Sequence, residues 1–304
     1  DDAGKPRPEL GVGLTSNISE QFADAAIELL EQPADARQFF VHVNFTAPHD
    51  PRLLPRGYEN AYDAAKLPLP KNFAAEHPFE HGNLRGRDEV LLTRPLTPEL
   101  IRNELAVYYA LIEHMDAQIG RITAALEKSD QAKNTIVIFT SDHGLALGSH
   151  GLTGKQNMYE HTILVPLVIA GPEIDADRRT SAFCHLRDLF PTLCDIADVE
   201  TPEKLDGRSL KTLVLAPNAA AIHPFVVGYF TDTQRMIRSR EWKLIRYSKI
   251  GREQLFDLQH DSDELRDLID RPEHRAVADE LRTKLTDWLL EHGDPLQADG
   301  SATP

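Results

Sequence analysis

The chain has 304 residues, enough to bury a large core, and its length favours one large domain joined to a smaller one. Asp and Glu number 48 against 33 Lys and Arg, a formal net charge of −15, which excludes an extended nucleic-acid surface but leaves room for a local basic pocket. No apolar run approaches the roughly 20 residues of a membrane span, and the opening DDAGKPRPELG lacks the pattern of a signal peptide.

Residues 1–16 are polar and rich in Gly and Pro, so they read as a loop, and the Asp1-Asp2 pair reads as a frayed end rather than as metal ligands. A helix should follow, with Asn17 as N-cap, Glu20 three residues on, and Ile18, Phe22, Ala25, Ala26 and Leu29 on one face. Residues 39–45 (FFVHVNF) read as a strand, and His49 lies just past its end. Nine prolines and glycines over residues 51–96, with little periodicity, indicate a long excursion over a sheet edge. Thr97, Pro98 and Glu99 form a strong helix start, and apolar residues from Ile101 to Leu126 then recur in steps of three and four.

That helix leads into the stretch on which the chain is organised, Asn134 to Gly171. Thr135 to Thr140 (TIVIFT) reads as a strand buried on both faces, and Ile163 to Ala170 as a second, with Pro166 arguing against an interior ladder position. Strand–helix–strand order implies a parallel sheet. Between the two runs stand Asp142, His143, His150, Lys155, Glu160 and His161, on a segment with glycines at 144, 148, 151 and 154. Adjacent carboxylate and imidazole groups at a strand end can share a cation. A lysine behind glycines that let backbone approach a ligand can hold an oxyanion. Each also has a plainer reading: a turn for Asp142-His143-Gly144, a loop histidine for His49, a solvated lysine for Lys155, packing for His150 and His161. Glu160 is expected to hold Lys155 or a backbone amide. In an open parallel sheet, loops at the carboxyl ends of strands line the ligand crevice, so His49 and Asp142/His143 should share one edge.

A further helix is expected over Leu186 to Ala197. Beyond about residue 222 short strands at 225–230, 235–240, 242–247 and 254–258, several alternating apolar with charged residues, read as an antiparallel sheet half exposed to water. A helix from Arg275 to His292, with Val277, Leu281, Leu285 and Leu289 in one stripe, closes it. The expected domains are an α/β core over 1–221 and the antiparallel sheet with its helix over 222–304. Cys184 and Cys194 show no metal-ligand spacing and read as buried thiols.

The stretches FTAPHDP, TSDHGLALGSHG, GKQNMYEH followed by Pro166-Leu167, and LFDLQHDSDE resemble the type I, formylglycine-dependent sulfatases of the alkaline-phosphatase-like superfamily. The resemblance implies an α/β fold: a large, mostly parallel sheet sandwiched by helices, with a smaller C-terminal antiparallel sheet and helix. It implies removal of sulfate from a small-molecule or carbohydrate sulfate ester, and an exported protein. Asp142 and His143 would bind a divalent cation, calcium in the first place, with magnesium or manganese as alternatives because imidazole is an unusual calcium ligand. Lys155 would contact the sulfate and His49 would assist the leaving group or the sulfate; His150, Glu160 and His161 are candidate substrate-binding residues. The family's nucleophile arises in a C/S-x-P-x-R motif, which neither Cys184 nor Cys194 fits, and a pair of metal-binding aspartates after the first strand is also lacking. The formylglycine is therefore expected in an upstream N-terminal portion as the partner of this chain, which alone should turn over little or no substrate. The alternatives are a phosphoester or phosphonate hydrolase of the same superfamily and a non-catalytic remnant that binds sulfated glycans.

Overall fold

Thr97 starts the longest element. Its Oγ1 accepts a hydrogen bond from Leu100 N at 3.2 Å, Pro98 occupies the first turn, and helix α2 runs from Pro98 to Lys128. This computed structural model describes residues 16–32, 38–216 and 219–295, so the readings of 1–15, Asp1 and Asp2 included, fall outside the described residues. The chain divides into two compact units, 1–69 with 97–136 and 70–96 with 137–304.

In the first unit, α1 (Ile18–Leu30) packs along α2. Its buried face is Ser19, Ala23, Ala26 and Leu30, whereas Leu29 is 54% exposed. The expected stripe is thus rotated, because small residues at 19, 23 and 26 let one helix lie close on the other. The capping box at Asn17 is not formed: Asn17 Oδ1 accepts from Gln21 Nε2 at 3.3 Å and Glu20 turns to His114 Nε2 at 3.2 Å.

The second unit is built around β3 (Val226–Phe230), β4 (Gln234–Arg238), β5 (Trp242–Tyr247) and β6 (Arg252–Asp257), an antiparallel sheet in sequential order. Leu244 faces Ile237 on β4 and Leu255 on β6, so one register aligns the apolar sets of three strands. Their face packs on α6 (Arg275–Glu291), whose Ala278, Leu281, Leu285 and Leu289 are buried against Val227, Ile237, Leu244 and Leu255. The opposite face carries Met236, Ile245, Tyr247 and Phe256 and is covered by Ala146, Leu152, Met158 and Tyr159. The sheet is therefore buried on both faces rather than half exposed. The charged residues that suggested a wet face, Arg235 and Lys243, are 3% and 0% exposed, each in an ion pair.

The large parallel sheet is the expectation that departs most. Among the described residues β1 (Val137–Thr140) pairs only with β2 (Leu167–Ala170), and the pair is antiparallel. Residues 38–45 form no strand ladder among the described residues. β1 and β2 alternate between half-buried and exposed, with Val168 56% exposed, instead of being buried on both faces. Parallel sheets occur almost only with both faces covered by helices, and these apolar runs lack that cover among the described residues. Pro166 immediately precedes β2, outside its ladder, as expected. Leu189–Ile196 forms α4 and Lys211–Leu215 forms α5. Cys194 is buried, but Cys184 is exposed, so the buried-thiol reading holds for only one; neither forms a disulfide.

Candidate functional site

The segment from Asp142 to His161 packs on the four-stranded sheet through Ala146, Leu152, Met158 and Tyr159, and three of its glycines stand where other parts of the chain leave no room for a side chain. A Cβ at Gly144 would meet His161 O, one at Gly151 would meet the Glu76–His77 peptide, and one at Gly154 would lie 2.8 Å from Asp88 Cβ. These glycines admit the chain's own neighbours, where the sequence suggested close approach of a ligand.

At the end of β1, Asp142 is 80% exposed. Its Oδ1 accepts from His143 N at 2.9 Å, and its Oδ2 lies 3.3 Å from His143 Nε2. Calcium takes six to eight oxygen ligands. Among the described residues no three His, Cys, Asp or Glu side chains converge as a metal site. Among the described residues Asp142 and His143 therefore offer part of a coordination set.

Lys155 is the anionic-ligand candidate, and its surroundings come from the 70–96 excursion. Its Nζ lies 3.5 Å from Asp88 Oδ2, which also accepts from Gln156 Nε2 at 2.7 Å, while Asp88 Oδ1 accepts from Arg87 at 2.8 Å. Burial pushes the Asp88 carboxyl up, but the bond from Gln156 and the Lys155 charge more than offset it, leaving the group below the usual carboxylate range. Glu89, 1% exposed, accepts Gly154 N and Thr153 N on separate oxygens, both at 2.9 Å, and pairs with Arg94 at 2.8 Å. An open depression of about 350 Å³, lined by Glu80, Gly82, Asn83, Arg85 and Gly86, borders this segment one residue before Arg87.

Glu160 does not hold Lys155. It opens the one-turn helix α3 (Glu160–Ile163), and its Oε1 lies 2.6 Å from Lys243 Nζ and 3.1 Å from Arg238 Nε. The same ammonium reaches Glu264 Oε1 at 2.8 Å and Met158 O at 3.1 Å. Burial raises the Glu160 carboxyl, yet Lys243 and Arg238 pull it below its usual range; for the more deeply buried Glu264, burial wins over Lys243 and the carboxyl is raised. The correction has a plain cause: Lys155 precedes Glu160 by five residues on a loop, while β5 carries a fully buried lysine that must be neutralised.

His150 stacks on Tyr159 with ring centroids 3.9 Å apart, at a positive φ of 52°, and receives a bond from Asn72 Nδ2 at 3.0 Å. The His161 ring centroid is 5.7 Å from that of His150, and both His161 nitrogens are buried with no hydrogen-bond partner among the described residues. Burial depresses His150 to about 4 and His161 well below its usual value, so both are neutral at pH 7. His77, which sequence reasoning missed, belongs to the same cluster: its Nε2 lies 3.1 Å from Tyr159 Oη, and burial takes it to about 3.

His49 lies in the first unit. It is half exposed, on the loop after residues 38–45, with Nδ1 2.7 Å from Asp50 O and 3.5 Å from Asp50 Oδ1. Missed were Asp88, Glu89, Arg94, Arg238 and Lys243; Glu264 closes the LFDLQHDSDE stretch but was given no role. A charged residue in a strand of apolar neighbours, as in the WKLIRY of β5, was the one available signal for this group.

The family described as Sulfatase matches residues 5–199, and that described as N-sulphoglucosamine sulphohydrolase, C-terminal, matches residues 148–290. The chain belongs to the sulfatase family. It is 31% identical over 264 residues to the arylsulfatase of Clostridium perfringens, covering 84% of this chain and 54% of that protein. It is 34% identical over 276 residues to arylsulfatase K of Mus musculus, covering 81% of this chain and 49% of that one. The chain thus spans 54% and 49% of the lengths of these two curated relatives. Among solved structures, the phosphonate monoester hydrolase SpPMH from Silicibacter pomeroyi superposes with a TM-score of 0.80 at 26% identity, over 96% of this chain and 64% of that one. BT4656 in complex with its substrate D-glucosamine-2-N,6-O-disulfate also gives a TM-score of 0.80, at 21% identity, over 93% of this chain and 71% of that one. An alkaline-phosphatase-like α/β fold fits these neighbours. Among the described residues no helix is long and apolar enough to cross a membrane.

Proposed function

We propose that this chain is the substrate-holding part of a sulfuric ester hydrolase that removes sulfate from a carbohydrate or other small molecule. The observation that carries the reading is sulfatase membership over the stretch holding Asp142, His143 and Lys155. Sulfate ester cleavage builds negative charge on the leaving oxygen and keeps it on the sulfuryl oxygens. A lysine aimed at those oxygens stabilises the transition state most where water is excluded. Lys155, 19% exposed and flanked by the buried Asp88 and Glu89, has such a setting. His49 is the proposed proton donor to the leaving group, and neutral His150 and His161 are proposed to face the substrate, His161 through its unpartnered ring nitrogens.

On the same reading Asp142 and His143 contribute part of a divalent-cation site, with calcium the first choice. The remaining ligands and the formylglycine nucleophile are proposed to lie in an upstream portion; that the chain spans 54% and 49% of two relatives' lengths supports the reading. The exposed apolar runs at 39–45 and in β1 and β2 then belong to a larger, mostly parallel sheet in the complete enzyme. The BT4656 complex supports a sulfated carbohydrate as substrate class, and the likeness to SpPMH keeps phosphonate and phosphate esters as the alternative. Rates on matched aryl sulfate and aryl phosphate, in the longest gene product that carries this chain, test the reading: faster sulfate release supports it, and faster phosphate release favours the alternative.

A further inference from the structure

Around Lys155 the chain places two consecutive acidic residues, both nearly inaccessible, each performing a different task. Glu89 grips the loop backbone through the amides of Thr153 and Gly154, and is itself fixed by Arg94, which also donates to Gly151 O at 2.6 Å. Asp88, 4% exposed, secures the same loop from its main chain, accepting Thr153 Oγ1 on its carbonyl at 2.7 Å. Its carboxylate is turned to Lys155, Gln156 and Arg87. A grip on the backbone does not reach the end of a four-carbon side chain. The carboxylate supplies what the backbone grip cannot, a charge that fixes the end of the side chain. Gly154 is needed for this closeness, since a Cβ there would meet Asp88 Cβ at 2.8 Å and Glu89 Oε1 at 2.9 Å.

We propose that Asp88 is a positioning residue for Lys155, holding its ammonium in a fixed place, and that Glu89 sets the loop that makes this reach. The catalytic consequence rests on the sulfatase reading; the pinning itself does not. A lysine released from Asp88 can still follow a ground-state sulfate on its flexible stem, but it no longer waits where charge develops. Loss of Asp88 should therefore lower kcat and leave KM nearly unchanged.

The first arm needs no turnover. In the 304-residue chain, competitive acylation by an N-hydroxysuccinimide ester is read lysine by lysine by mass spectrometry, with exposed Lys66 as internal reference. Asp88→Asn should raise Lys155 reactivity relative to Lys66 several-fold in a variant that stays folded at the assay temperature, and Asp88→Glu should restore most of the protection. Should the Asn variant fail to fold, Asp88→Ser serves in its place. Unchanged Lys155 reactivity in a folded variant overturns the proposal. The second arm is a double-mutant cycle on an aryl sulfate in the longest gene product that carries this chain. Asp88→Asn should cost about tenfold or more in kcat alone, and nothing further in a Lys155→Ala background. Equal additional loss in both backgrounds would remove Lys155 as the route of action. Absence of any sulfate release by the unsubstituted protein would defeat the sulfatase reading, while the acylation result would still decide the pinning.

Discussion

The ammonium of Lys243, on β5 and fully buried, stands 2.6 Å from Glu160 Oε1, on the one-turn helix that follows the Lys155 loop. This contact joins the C-terminal sheet to the candidate site segment by charge as well as by packing. With Glu264 as its second carboxylate, Lys243 neutralises groups that would be very costly to bury alone. Lys243→Met should therefore destabilise the chain by about 3–5 kcal/mol, since it leaves the buried Glu264 without its cation and Glu160 with Arg238 in place of two cations. Urea unfolding measures it. A change below about 1 kcal/mol would mean the pair is no stronger than a surface contact.

Stability should depend on pH through the buried histidines. Burial holds His150 near 4 and His77 near 3, against an ordinary value of about 6.5. Between those values the unfolded chain binds more protons than the folded one, so this contribution is complete above about pH 6.5 and is lost as the pH falls toward 3. The lowered carboxyls of Asp88 and Glu160 act in the same direction in acid, and the raised Glu264 acts against them. His150→Asn, which tolerates the positive φ there, should reduce the slope of stability against pH between about 4 and 6.5 by about one proton. An unaltered slope would show that His150 titrates normally in the folded chain.

Calcium should do little to this chain by itself. With Asp142 and His143 as the proposed ligands, millimolar calcium is expected to add less than about 0.5 kcal/mol, and a chelator to remove nothing measurable. Thermal unfolding with calcium and with chelator checks this. A rise of several degrees with calcium would mean the chain carries a fuller set of ligands than Asp142 and His143.

The parts of the fold that the sequence made legible carry their own local signals. β3 to β6 with α6 show short periodic runs between turns and pack on neighbours close in the chain, whereas α2 is marked by Thr97 and Pro98 at its start although its partner α1 is distant in sequence. Burial was harder to read, because Lys243 and Arg235 look like solvent-facing residues until Glu160, Glu264 and Asp294 are known to meet them. The candidate site shows the same limit. Asp142, His143 and Lys155 stand in one recognisable stretch, whereas Asp88 and Glu89 reach Lys155 and Gly154 across more than sixty residues of sequence, from a segment with no periodicity. The parallel sheet was inferred from apolar runs that, among the described residues, find only an antiparallel partner for β1 and none for 39–45.

The central claim is that Lys155 holds the sulfuryl group of a sulfate ester. Initial rates of sulfate release from an aryl sulfate, by the longest gene product that carries this chain and by its Lys155→Ala variant, test it most directly. The account predicts a loss of about a hundredfold or more in kcat/KM at unchanged melting temperature. A folded variant that releases sulfate as fast as its parent would contradict it.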